Sequence, residues 1–149
     1  MDSDTITVER TIAAPPAEVF ALLSDAAKHV EFDGSGTVRG TRRTSEPLAL
    51  GTRFGMAMHQ GFGYRTSNEV VEFEQDRRIA WKTTGLKGIV GGRIWRYELE
   101  PVEGGTLVRE SWDITHESPL TKLVVKGQGG GARKGMTATL ARIEELLVG

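Results

Sequence analysis

The chain contains no cysteine. Disulfide staples and thiolate metal sites are therefore excluded, and stability has to come from packing and hydrogen bonds. An excess of charge is missing as well: 19 Lys and Arg face 20 Asp and Glu, for a net charge of −1. That balance offers no broad basic surface, so no nucleic-acid partner is expected. No apolar run approaches the roughly 20 residues a membrane-spanning helix needs, so stable membrane insertion is not expected. The start, Met1-Asp2-Ser3-Asp4, is acidic and leads into no apolar stretch. It does not resemble a secretory signal, and a cytoplasmic location is the expectation.

What the chain does contain suits one soluble domain over residues 1–149. Its length is 149 residues, 38% of them hydrophobic and 26% charged, enough to bury a core. The 19 glycines are expected mainly at turns. Ile6, Val8 and Ile12 alternate with polar residues, the period of a half-buried strand, and Arg10 falls on the same face. Pro15-Pro16 ends that strand, and Pro16 fits the first turn of a short helix through Val19, Phe20, Leu22 and Leu23. A second short helix is expected over 26–32, closed by Asp33-Gly34-Ser35-Gly36.

Strands dominate the middle of the chain. A polar one is expected over 38–45, and Phe54, Met56 and Met58 alternate in the next. Val70, Val71 and Phe73 lie in a third, turned by Gln75-Asp76-Arg77 into Ile79, Trp81 and Thr83. Gly85 to Gly92 reads as a loop. Trp95, Tyr97 and Leu99 alternate cleanly with charged residues, and Glu103-Gly104-Gly105 turns into Val108, Glu110, Trp112 and Ile114. Met136, Leu140, Ile143 and Leu147 then recur at helical spacing. Gly127 to Gly131 costs about 1 kcal/mol per glycine in a helix, so a kink, break or loop is expected there. One strand, two short helices, about six strands and a long helix make an α+β domain with an antiparallel sheet.

The segment from Ile6-Thr7-Val8-Glu9-Arg10 through Pro15-Pro16-Ala17-Glu18-Val19-Phe20 to Ser24-Asp25 resembles the start of the polyketide cyclase/dehydrase and lipid-transport family. Val70 to Glu74 with Arg77 to Trp81 resembles its central hairpin, and Trp95 to Pro101 with Gly105 to Val108 its penultimate one. The resemblance covers nearly the whole chain. The family belongs to the START-like (SRPBCC) superfamily, which implies a helix-grip fold: a seven-stranded curved antiparallel sheet wrapped around a long C-terminal helix, with two short helices after the first strand. It implies an internal cavity for a hydrophobic small molecule such as a lipid or polyketide, and no cofactor. It supplies no shared catalytic motif. Where the family has larger side chains in a continuous helix, this chain has Gly127 to Gly131, from which a wider or more mobile pocket mouth is expected.

The residues expected to line the cavity are Phe54, Met56, Met58, Trp81, Trp95, Tyr97, Trp112, Met136 and Leu140, with Arg10 and Glu110 as buried polar groups. Each apolar member also fits an ordinary core. Arg10 and Glu110 both phase inward on strands that neighbour one another in the implied fold, so the two could form an ion pair, structural or ligand-anchoring, unless a one-residue shift of strand phase puts either outside.

His29, His59 and His116 show no metal-ligand spacing, so no metal site is expected; His59 reads as an exposed loop residue. The Gly-x-Gly-x-x-Ala string at Gly127 to Ala132 lacks the βαβ unit of a dinucleotide site. Ser24, Ser111 and Ser118 lack a nucleophile-elbow context. Glu144 and Glu145 read as solvated, as do Lys122, Lys126, Arg133 and Lys134.

Three functions follow: binding, transport or sequestration of a hydrophobic ligand; a cyclase or dehydratase whose acid or base would come from Glu110, Tyr97, Arg10 or His59; or a regulatory or toxin-like interaction protein. The sequence leaves the catalytic residues, the ligand and the choice of monomer or homodimer open.

Overall fold

The computed structural model describes residues 4–25, 28–32, 38–42, 48–59, 63–85, 90–117 and 119–148. Side chains at 30–31, 38–42, 56–59, 64–65, 90–91, 120 and 124 fall outside that description. The elements are β1 (Thr5–Ile12), α1 (Pro16–Leu23), α2 (His29–Phe32), β2 (Val38–Arg42), β3 (Arg53–His59), β4 (Gly63–Glu74), β5 (Arg78–Gly85), β6 (Val90–Val102) and β7 (Gly105–Asp113). They end with α3 (Pro119–Val125), a 3-10 turn (Lys126–Gln128) and α4 (Gly129–Val148).

The strands form one antiparallel sheet in the order β1-β7-β6-β5-β4-β3-β2. Chain neighbours are sheet neighbours except for β1, which crosses to pair with β7. Directly opposed residues share a face. The registers Val8↔Glu110↔Tyr97↔Ile79 and Ile6↔Trp112↔Trp95↔Trp81 therefore place these residues on one side of the sheet. That side carries the core with Met136, Leu140 and Ile143 of α4, and with Val19, Phe20 and Leu23 of α1. Phe20 meets Phe73 edge to face at 5.4 Å, fixing α1 on β4. Fully burying a side chain of this size stabilises the fold by about 1.5–3 kcal/mol.

Local sequence accounts for the irregular points. Pro15 precedes α1 in extended conformation and Pro16 opens it, where its missing N–H costs nothing. Val70 and Phe73 are three apart, yet both face inward: the register passes from Val70↔Trp81 to Glu72↔Ala80, so Val71 is a bulge residue that resets the alternation.

The glycine-rich stretch read as a loop over 85–92 is strand at both ends, and residues 86–89 lie outside the described ones. β5 continues to Gly85 and β6 begins at Val90. Gly92 is the extra residue between the pairs Thr83↔Arg93 and Thr84↔Gly91. Its φ is +87°, and a Cβ there would lie 2.8 Å from the His116 carbonyl oxygen, so a bulge that presses against a neighbouring backbone explains the glycine.

The run Gly127 to Gly131 is helical, with a change of pitch. A 3-10 turn links α3 to α4, and Gly129 has φ −59° and ψ −39°. A Cβ on Gly129 would sit 3.0 Å from Ile6 Cδ1 and 3.9 Å from Trp112, so this glycine lets α4 approach the sheet. The expectation of a loosened mouth here is corrected at Gly129 by that close packing.

Candidate functional site

The inward side of the sheet holds a row of large aromatic residues. Trp81, Tyr97 and Trp112 are buried, and Trp95, opposite both Trp81 and Trp112, is partly buried against them. Trp81 and Tyr97 have ring centroids 5.7 Å apart. Phe54, Met136 and Leu140 are buried in the same cluster. Met56, Met58 and His59 have their backbones in β3, but their side chains lie outside the described ones.

Polar groups are set into this apolar floor. Glu110 is 3% exposed, and its Oε2 accepts a hydrogen bond from the Tyr97 hydroxyl at 2.9 Å. The two residues face each other across β6 and β7, so the bond follows from the register. Glu110 is not the partner of Arg10. Arg10 donates from Nε (3.1 Å) and a terminal nitrogen (2.7 Å) to Glu144 on α4. Arg10 keeps the inward phase of β1 but lies where α4 crosses, and its long stem carries the guanidinium to the helix surface. Glu144 is correspondingly half-buried rather than solvated, whereas Glu145 is exposed.

Several buried polar residues escaped sequence reasoning, Asn68 and its threonine neighbours among them. Asn68 is 1% exposed and fixed by its amide: Nδ2 donates to the Phe54 carbonyl (3.3 Å) and to Thr66 Oγ1 (3.4 Å), and Oδ1 accepts from the Thr83 hydroxyl (2.6 Å). Thr66 and Thr83 are themselves buried. Their signal was alternation: Thr66, Asn68 and Val70 are spaced by two, as are Ile79, Trp81 and Thr83.

His29, within the second short helix expected over 26–32, is also buried. Its ring stacks on Trp81 at 4.7 Å and 22°, with Phe32 and Phe54 at 5.1 and 5.3 Å. Its Nε2 lies 3.0 Å from the Leu23 carbonyl. A carbonyl only accepts, so Nε2 carries the proton. No periodicity could have placed a histidine of a four-residue helix in the core.

Further buried charge sits at the β6 end. Arg93 donates from Nε to Glu117 at 3.2 Å, and Thr121 donates to the other carboxylate oxygen at 3.0 Å. Lys122 and Lys126, read as part of a solvated basic face, both reach Asp4, at 2.9 and 3.6 Å. On the opposite side of the sheet a shallow polar groove of about 140 Å³ is lined by Arg53, Ser67, Glu69, Lys82 and Thr84. Its walls are short or charged and Arg53 already pairs with Glu69, so it lacks the apolar lining of a small-molecule chamber. Among the described residues no cluster of His, Asp or Glu could hold a metal ion, and no helix is long and apolar enough to cross a membrane.

Comparison with known proteins agrees with this architecture. The family described as polyketide cyclase / dehydrase and lipid transport matches residues 3–148. The uncharacterized protein Rv0088 of Mycobacterium tuberculosis is 33% identical over 141 residues, which cover 90% of this chain and 60% of that protein. The chain thus spans about 60% of the length of the curated relatives it matches. Protein NE0264 from Nitrosomonas europaea superimposes with a TM-score of 0.74 at 19% identity, over 99% of this chain and 96% of that one. DynU16, from the dynemicin biosynthetic locus, gives 0.71 at 16% identity over 98% of this chain and 48% of its own. At such identities the likeness is one of fold. The family match over almost every residue, on an antiparallel sheet closed by a long C-terminal helix, means that this chain belongs to the polyketide cyclase/dehydrase and lipid-transport family.

Proposed function

We propose that the chain binds a hydrophobic small molecule, of lipid or polyketide type, between the inward face of the sheet and α4. One observation carries this reading: a carboxylate and a phenol are bonded to each other inside a wall of tryptophans. A buried carboxylate is costly to keep in an apolar core, and its retention beside three indoles suits a chamber that must orient an amphiphilic guest. Trp81, Trp95, Trp112, Phe54, Met136 and Leu140 supply apolar area, and Met56 and Met58 belong to the same proposal. Glu110 and Tyr97 supply the polar contact; Arg10, held by Glu144, supports α4 beside it.

The same pair favours a second reading, a cyclase or dehydratase in which Glu110 moves a proton. Native mass spectrometry of the purified chain is expected to show a co-purified apolar ligand, and Trp95→Ala is expected to lose it while the circular dichroism spectrum stays unchanged. Retention of the same ligand by Trp95→Ala would refute the proposed chamber. Under the second reading Glu110→Gln keeps the ligand and stops its conversion.

A further inference from the structure

The Asn68 network has a direction, and among the described residues that direction leaves one hydroxyl proton without an acceptor. The Phe54 carbonyl can only accept, so the atom 3.3 Å from it is the amide nitrogen and the orientation of Asn68 is settled by chemistry. Oδ1 is then the acceptor, and Thr83 spends its single hydroxyl proton on it at 2.6 Å. Thr66 Oγ1 receives the other amide proton, while its own proton meets no acceptor among the described residues. Among the described residues the network therefore ends in one buried donor, the Thr66 O–H, and keeps spare lone pairs on Thr83. Both residues face inward beside Trp81, which is two positions from Thr83 on β5. A buried hydroxyl proton without an acceptor is unfavourable, and a ligand oxygen in front of it would relieve that cost.

We infer that Thr66 and Thr83, keyed by Asn68, form a subsite for an oxygen substituent of the ligand. A ring or chain carbonyl accepts from Thr66; a hydroxyl accepts from Thr66 and donates to Thr83. This rests on the ligand-binding reading above and narrows its substrate class. Tyr97 opposes Ile79, and Thr83 lies four residues further along β5, about 13 Å away along the strand. With the Glu110–Tyr97 pair at the other end, the site selects an elongated apolar scaffold oxygenated at both ends rather than a plain hydrocarbon tail.

Fluorene and 9-fluorenone test this, because they share a tricyclic shape and differ by one carbonyl. Equilibrium dialysis against the full chain is expected to show 9-fluorenone binding about tenfold more tightly, the worth of one well-placed hydrogen bond. Thr66→Val is expected to remove that preference while fluorene binding stays within about twofold, and Thr66→Ser, which keeps the hydroxyl, is expected to retain it. The infrared carbonyl stretch of 9-fluorenone bound to the wild-type chain is expected to shift to lower wavenumber, which decides the matter even if Thr66→Val does not fold. Equal affinity for the two probes, an unshifted carbonyl stretch, or full preference in Thr66→Val overturns the subsite and leaves the chamber standing. Failure of both probes to bind overturns the chamber and the subsite together.

Discussion

Tyr97 and Glu110 show what a single buried contact is worth. Removing one partner of a buried hydrogen bond costs more than the bond itself, because the remaining group stays desolvated. Tyr97→Phe is therefore expected to destabilise the fold by about 1–3 kcal/mol in urea denaturation. Glu110→Leu combined with Tyr97→Phe is expected to cost clearly less than the two single changes summed, since the double variant leaves neither polar group stranded. Strict additivity would mean that the pair is not coupled. The position of Glu110 was legible: the register puts it opposite Tyr97 on the inward face, as its alternation with Arg109 indicates, although Ser111 on the other face is buried as well. Its partner was not. Tyr97 and Arg10 were both on the expected face, but Glu144 is 134 residues from Arg10 and carries no mark of the pairing. Phase is a local property, whereas partnership depends on where α4 crosses the sheet.

Elements were easiest to read where one period runs unbroken. β6 alternates from Arg96 to Glu100 and β7 from Gly105 to Glu110, and the stripe at Met136, Leu140 and Ile143 is the buried face of α4. Legibility fails at bulges. Val71 and Gly92 each insert one residue, so strict alternation either breaks or looks like a loop. Glycine is ambiguous for the same reason, since it serves a bulge at Gly92 and a close helix contact at Gly129. Other glycines of the α4 start serve neither purpose. A Cβ on Gly130 or Gly131 meets nothing within 4 Å, and neither residue has positive φ. Gly130→Ala and Gly131→Ala are expected to raise stability by about 0.4–1 kcal/mol each, by restricting the unfolded chain and improving helix propensity. Thermal melts should move up by a few degrees. A lowered melting temperature would mean that the flexibility of this turn is needed by the fold itself.

At the scale of the whole molecule, the outward face is organised by charge rather than by apolar packing. Arg96 on β6 donates to both oxygens of Glu72 on β4, at 2.8 and 2.7 Å, and to Asp113 on β7 at 3.4 Å. One guanidinium thus ties strands from β4 to β7, while Arg109 joins Glu9 and Glu100 further along. The hydrogen bond from Arg96 holds the Glu72 carboxyl below its ordinary value of 4.5. Burial pushes Asp113 up, but hydrogen bonds from Thr115 and the nearby Arg96 outweigh it and leave it below 3.8. Both groups bind protons more weakly folded than unfolded, so the unfolded state takes up protons first as pH falls. Their contribution is complete above the unfolded values, and it is lost as pH falls from about 5 through the depressed folded values. The midpoint of urea unfolding is expected to be flat between about pH 5 and 7 with respect to these groups, and to drop below about pH 4.5. Arg96→Met is expected to lower the midpoint at pH 7 and to flatten the acid limb, because without the guanidinium Glu72 and Asp113 return toward their ordinary values. High salt should weaken the effect only in part, since Arg96 and Asp113 are mostly shielded from solvent. An acid limb of unchanged slope in Arg96→Met would show that other carboxylates control acid unfolding.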